Sequence, residues 1–134
     1  MINRSARRRL TQSTSINATP ENLWDLITGA STIADWYDTW DLAESVANER
    51  HLRGGTKFRL IRCQTGHNDE VAHCQVTEFL EVTRLQWRQS MPHQPTTSVS
   101  FDLVPHATDG TTELHQTCTW TMGYRSSPYR ERQQ

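Results

Sequence analysis

Apolar and polar positions follow two different periods along this chain. From Arg9 to Ile16 they alternate, with Leu10, Gln12, Thr14 and Ile16 on one side and Thr11, Ser13 and Ser15 on the other, which predicts a first strand. At Ala18-Thr19-Pro20-Glu21 the pattern changes to that of a helix start. Thr19 suits the cap of free amides, Pro20 the first helical position, and Glu21 complements the dipole. Leu23, Trp24 and Ile27 give this short helix an apolar side, and Gly29 is expected to stop it. A second helical stretch carries Ile33, Trp36, Tyr37 and Trp40 on one face.

Beyond Trp40 the period is two. Strands are expected near Asp41 to Asn48, Thr56 to Gln64, Val71 to Phe79, Arg84 to Ser90, Thr97 to Val104 and Thr111 to Met122. Between them lie Gly54 and Gly55, Gly66 to Asp69, Pro92 to Pro95, and Asp109-Gly110. Such short consecutive connections favour an antiparallel meander. A two-residue turn at Asp109-Gly110 would set Leu103 opposite Gln116, Phe101 opposite Cys118 and Val99 opposite Trp120. Folding the second strand back about Arg53 would set Val46 opposite Leu60 and Glu44 opposite Arg62. One face then carries Phe58, Leu60, Cys74, Val76, Leu85, Trp87, Val99, Phe101, Leu103, Leu114, Cys118 and Trp120. An α+β fold follows, with the helices packed on that apolar face.

The run SINATPENLWDLIT, Ser15 to Thr28, resembles the opening signature of the START-like superfamily, also called SRPBCC, which includes polyketide cyclase and dehydrase-type proteins and the birch pollen allergen group. Gly55 and Phe58 in RGGTKFRL, and VTEFLEVTRLQWR from Val76 to Arg88, extend the resemblance, and element order agrees from about Arg9 to Met122. The resemblance implies a helix-grip fold: a curved antiparallel sheet of about seven strands, two short helices after the first strand, a long closing helix, and an internal cavity for lipids, polyketides or similar molecules.

The chain departs from that pattern at its end. After Met122 the tail GYRSSPYRERQQ holds a cap-like Ser127 and Pro128 but only Tyr124 and Tyr129 as sizeable apolar groups. About a dozen residues make at most ~18 Å of helix, so the closing helix is expected to be short or absent. The two readings are a frayed segment and a short docked helix. Either would leave apolar sheet surface uncovered, and a homodimer is the expected cover.

Length, charge and cysteine content narrow the rest. The 134 residues suit one START-like domain, with 1–8 as a flexible arm and 123–134 as a truncated or frayed C-terminal segment. A net charge of −1, from 14 basic and 15 acidic residues, argues against nucleic acid as a partner. The cluster Arg4, Arg7, Arg8 and Arg9 reads as a solvated arm. No apolar run approaches a membrane span and the first ten residues lack a secretion-signal centre, so a cytoplasmic location is expected. Cys63, Cys74 and Cys118 are expected as reduced thiols.

Inward acids, bases and donors are what a cavity needs for chemistry. Parity nominates Glu44, Arg62 and Gln116, with Tyr37 from the helical stretch. Glu44 and Tyr37 are the acid–base candidates. Glu44 and Arg62 read either as a surface ion pair or, for Arg62 together with Gln116, as groups that orient a carbonyl or carboxylate of an apolar ligand. Trp24, Trp36, Tyr37, Trp40, Trp87, Phe101 and Trp120 read either as core or as the wall of a hollow with indole donors. His73 points away from Cys74, and His115 away from Cys118, so no metal is expected; no cofactor is implied. The ligand-binding candidates are therefore Trp36, Tyr37, Phe58, Leu60, Arg62, Cys74, Trp87, Phe101, Leu103, Gln116, Cys118 and Trp120. Three functions compete: binding of a small hydrophobic molecule, a cyclase or dehydrase acting on one, and a protein-interaction module using the open sheet face, as the resemblance to chaperone-activator-homology-type members of the superfamily implies.

Overall fold

The computed structural model describes residues 5–106 and 108–123. The expected tail helix at Ser127-Pro128 lies outside them, as do the first four residues of the arm. Strand β1 (Ser5–Ile16) leads into helices α1 (Pro20–Ile27) and α2 (Ile33–Trp36). Six strands follow: β2 (Leu42–Ser45), β3 (Lys57–Arg62), β4 (Glu70–Leu80), β5 (Arg84–Ser90), β6 (Thr97–Pro105) and β7 (Thr112–Gly123). They form one antiparallel sheet in the order β1-β7-β6-β5-β4-β3-β2, the curved α+β arrangement of a helix grip. β1 starts at Ser5, so the strand takes in half of the expected arm.

Helix α1 forms for the reasons its sequence gives. The Thr19 hydroxyl accepts from the Asn22 amide at 3.2 Å, Pro20 opens the first turn, and Leu23, Trp24 and Ile27 are buried. The stop differs by one residue from expectation. Thr28 caps the end, its hydroxyl donating to the Trp24 carbonyl at 2.7 Å. Gly29 is required by space instead, since a Cβ there would meet the Thr32 hydroxyl at 2.5 Å.

Helix α2 is shorter than expected. Tyr37 is already extended, and Asp38 takes φ 55°, so Trp40 reaches the core from a loop and not from the helical face assigned to it.

The two register expectations fail differently. Between β6 and β7, Leu103 faces Leu114, Phe101 faces Gln116 and Val99 faces Cys118, two residues off the expected pairing. The turn is wider than two residues, with the His106 amide donating to the Thr111 carbonyl at 3.0 Å and Asp109 accepting from Thr111. A shift of two keeps every side chain on its face. Between β2 and β3, Glu44 faces Arg59 and Ala43 faces Leu60, a shift of three that reverses faces. The chain does not fold about Arg53. Leu52 is buried there and its amide donates to the Thr28 carbonyl at 2.7 Å, so this loop is tied to the end of α1.

A bulge between Val76 and Glu78 leaves Thr77 as the extra residue on β4. Val76 and Phe79 consequently share the inner face, and Phe79 packs against Trp24 at 5.2 Å between ring centroids. The core lies between this face and the two helices, where Phe58, Leu60, Leu85, Trp87, Val99 and Phe101 are buried to 1% exposure or less.

Candidate functional site

Aromatic rings dominate the inner face. Trp87 meets Phe58 and Tyr37 edge-on at 5.2 and 5.3 Å, and Phe101 at 5.2 Å. Trp36 from α2 meets Phe101 at 5.1 Å and Tyr37 at 5.9 Å. These separations fall in the range preferred by aromatic pairs. Phe58, Trp87 and Phe101, with Leu60, Cys74 and Leu103, thus sit together as packed interior, whereas Trp36 stays half-buried at its margin.

A polar centre sits inside this apolar group. The Gln89 side-chain oxygen accepts from Trp87 Nε1 at 3.2 Å and from the Tyr37 hydroxyl at 3.4 Å, and the Cys74 thiol lies between it at 4.0 Å and the Ala72 carbonyl at 3.9 Å. Burial pushes the Cys74 thiol up to about 12 and the Tyr37 phenol well above its ordinary value, with smaller contributions to Tyr37 from Cys118 and Asp38. Both groups therefore remain protonated donors at neutral pH. Gln89 was absent from the sequence-derived candidates. It stands two residues from Trp87 on the same strand, so the alternation that turned Trp87 inward also turned Gln89 inward.

The other polar candidates are scattered. Glu44 is on the outer face, where it pairs with Arg59 at 2.7 Å, a correction that follows from the three-residue register shift. Arg62 lies at the rim of the sheet. It donates to Glu70 at 2.6 Å and to the Thr39 hydroxyl at 3.1 Å, and its guanidinium stacks 4.4 Å from the Trp40 ring. Gln116 is on β7, and three strands separate it from Arg62 on β3, about 19 Å along the sheet at ~4.8 Å per strand. The expected joint action of Arg62 and Gln116 on one ligand group is thereby corrected.

The β7 side of the inner face differs from the packed centre. Leu114, Gln116, Cys118 and Trp120 are only half-buried, and Leu10, opposite Cys118 on β1, is 57% exposed. Gln116 donates to the Cys118 sulfur at 3.8 Å. Trp120 shares the face of Phe101 but lies opposite Thr97 and Arg8, outside the buried cluster that holds Trp87 and Phe101. Strands β4 to β6 thus offer a sealed floor, whereas β7 with β1 offers an apolar surface that the described residues leave half-open.

Clefts at the other end of the sheet have a different character. One of about 400 Å³ is lined by Val46, Glu49, Arg53, Gly55, Thr56 and Lys57; another of about 240 Å³ reaches Phe58 and Cys74. Neither touches Trp87 or Phe101. Histidines stay out of the interior face: His73 is exposed opposite Arg59, and His115 pairs with Glu113 at 2.8 Å and with Ser13 at 3.2 Å. Among the described residues, no three of the His, Cys, Asp and Glu side chains gather as a metal would require. No described helix is long and apolar enough to cross a membrane.

Comparison with known proteins agrees with this architecture. A family model described as polyketide cyclase / dehydrase and lipid transport matches residues 7–132. Among solved structures, the Zhui aromatase/cyclase from Streptomyces sp. R1128 superposes with a TM-score of 0.70 at 14% identity, over 91% of this chain and 72% of that one. Protein SA2116 of unknown function from Staphylococcus aureus gives 0.72 at 12% identity, over 95% and 76%. Ara h 8.0201 gives 0.69 at 15% identity, over 92% and 82%. At these identities the likeness is one of fold. The search of curated proteins returned no match. With a family model covering nearly its whole length and the helix-grip sheet in place, the chain belongs to the polyketide cyclase / dehydrase and lipid transport family of the START-like superfamily.

Proposed function

We propose that this protein binds a small, largely apolar molecule on the concave side of its sheet, between α2 and the β7–β1 half. The observation that carries this reading is the contrast along one face. Val99 and Phe101 on β6 are fully buried, whereas their neighbours Cys118 and Gln116 on β7 are half-open and Leu10 beyond Cys118 is exposed. An apolar surface that continues a sealed core and then stops being covered is suited to a ligand with few polar groups. The family description, which names polyketide cyclases and lipid transport, and the fold shared with an aromatase/cyclase support the same class of ligand.

Binding fits the residues better than catalysis. A base must lose its proton near neutral pH, and burial holds the Tyr37 phenol protonated. Glu44 faces the opposite side of the sheet. Neither candidate thus supplies a base to a molecule lying against Cys118 and Trp36, and Tyr37 is left as a donor beside it.

The test is to fill the proposed space. Cys118→Trp places a large ring beside Leu10 and Gln116. It is expected to weaken binding of the fluorescent probe 1-anilinonaphthalene-8-sulfonate by at least about tenfold, with the melting temperature within a few degrees of the parent. Unchanged probe affinity would contradict the location. Native mass spectrometry of freshly purified protein adds the subunit count and any carried mass. A ligand-free dimer that buries Cys118 would assign the surface to a second copy of the chain.

A further inference from the structure

We propose that Gln89 is the polar anchor of the concave face, selecting apolar ligands that bear an acceptor oxygen, of which an aryl ketone is the simplest, over hydrocarbons of the same shape. The proposal rests on the ligand-binding reading above and names the chemistry of that ligand.

The orientation of the Gln89 amide is fixed by its neighbours. An indole N–H can only donate, so the end of the amide 3.2 Å from Trp87 Nε1 is the oxygen. The Tyr37 hydroxyl donates to that same oxygen, and the Cys74 thiol, whose one proton it shares with the Ala72 carbonyl, lies 4.0 Å away. Covalent geometry then puts the amide NH2 on the other side of the carboxamide carbon. Among the described residues it meets no protein acceptor, and Gln89 is only half-buried. Donation by Trp87 and Tyr37 to one carbonyl oxygen also polarises the amide and strengthens its free N–H groups as donors.

Counting partners on this face points the same way. Trp36 Nε1 is buried without a partner, and its ring lies against Tyr37, the residue that donates to Gln89. Meanwhile the Gln89 oxygen, the acceptor at the centre of the face, is already used by both Trp87 and Tyr37. Glu44 and Glu70 do not supply more: the first is on the outer face with Arg59, and the second is held at the rim by Arg62. A site with surplus donors is complemented by a ligand that brings acceptors, because unpaired buried donors are costly. Thr97 and Trp120 continue the row of inner-face residues from Gln89 across β6 to β7, which links the anchor to the open surface.

The experiment compares 2-acetylnaphthalene with 2-isopropenylnaphthalene, which differ as C=O and C=CH2 in nearly one shape, by calorimetric titration at pH 7 against the parent protein and Gln89→Glu. The variant keeps an acceptor for Trp87, Tyr37 and Cys74 and replaces the NH2 donor by a second acceptor. The parent is expected to bind the ketone about tenfold more tightly, and Gln89→Glu to lose that preference, read as the ratio of its own two affinities. Equal binding of both probes by the parent, or a preference that survives in Gln89→Glu, overturns the role of Gln89 and leaves the binding reading standing. Binding of neither probe overturns both. If Gln89→Glu melts below the assay temperature, the side-chain amide protons of Gln89 in the labelled parent serve instead. A downfield move with the ketone alone supports the anchor, and no move overturns it.

Discussion

At the scale of single residues, Trp87 and Gln89 form the working unit of the inner face. Trp87 is fully buried, touches three other rings and donates to Gln89. Trp87→Ala removes those contacts and leaves a cavity, and is expected to cost about 3 to 5 kcal/mol in denaturant unfolding. A cost below about 1 kcal/mol would mean that the ring is not packed as described. The burial of Trp87, Phe101 and Phe58 was legible from alternation alone. The value of Gln89 was not, because hydrophobic patterning ranks a glutamine near a strand end as surface, although parity with Trp87 gave its direction. Its role appears only when Tyr37, arriving from the end of a helix 52 positions away in the chain, meets the same oxygen.

At the scale of elements, the sheet is organised by cross-strand pairing on both faces. Arg84 on the outer face holds Glu78 on β4 at 2.8 Å and Asp102 on β6 at 2.7 Å, tying three strands together. These carboxylates hold the guanidinium pKa above its ordinary value through hydrogen bonds from Arg84, those to Asp102 first and to Glu78 second. Arg84→Ala is therefore expected to lower stability by about 1 kcal/mol, with half of the loss or more recovered in 1 M salt comparisons, where the parent's own ion pairs are screened. No change in the urea midpoint at low salt would contradict the bridge. Strand existence was legible throughout, since each run alternates between turn residues. Neither register was legible, although at the simpler connection the faces were. Asp109-Gly110 misled by two residues without harm to the faces, but the loop around Leu52 docks on α1, and that long-range tie moved Glu44 to the outside. The bulge at Thr77 had no sequence signal either, and it brings Phe79 inward against strict alternation.

At the scale of the whole molecule, the sheet is asymmetric in its cover. Two short helices with five- and six-ångström ring contacts seal β4 to β6, while β7 and the edge strand β1 keep Leu10, Cys118 and Trp120 partly open. The fold and its inner face could be anticipated from the order of patterns and the resemblance they carry. Which half of that face remains open depends on how far α2 reaches, and α2 ends four residues short of Trp40. The central claim is that an acceptor-bearing apolar molecule occupies this open half. The most direct measurement follows the five indole N–H signals of the 15N-labelled protein during titration with 2-acetylnaphthalene. The account predicts saturable shifts at Trp36 and Trp120, with Trp24, packed behind Phe79, unmoved. Shifts confined to Trp24 or Trp40, or no shift at Trp36 and Trp120 at saturation, would contradict it.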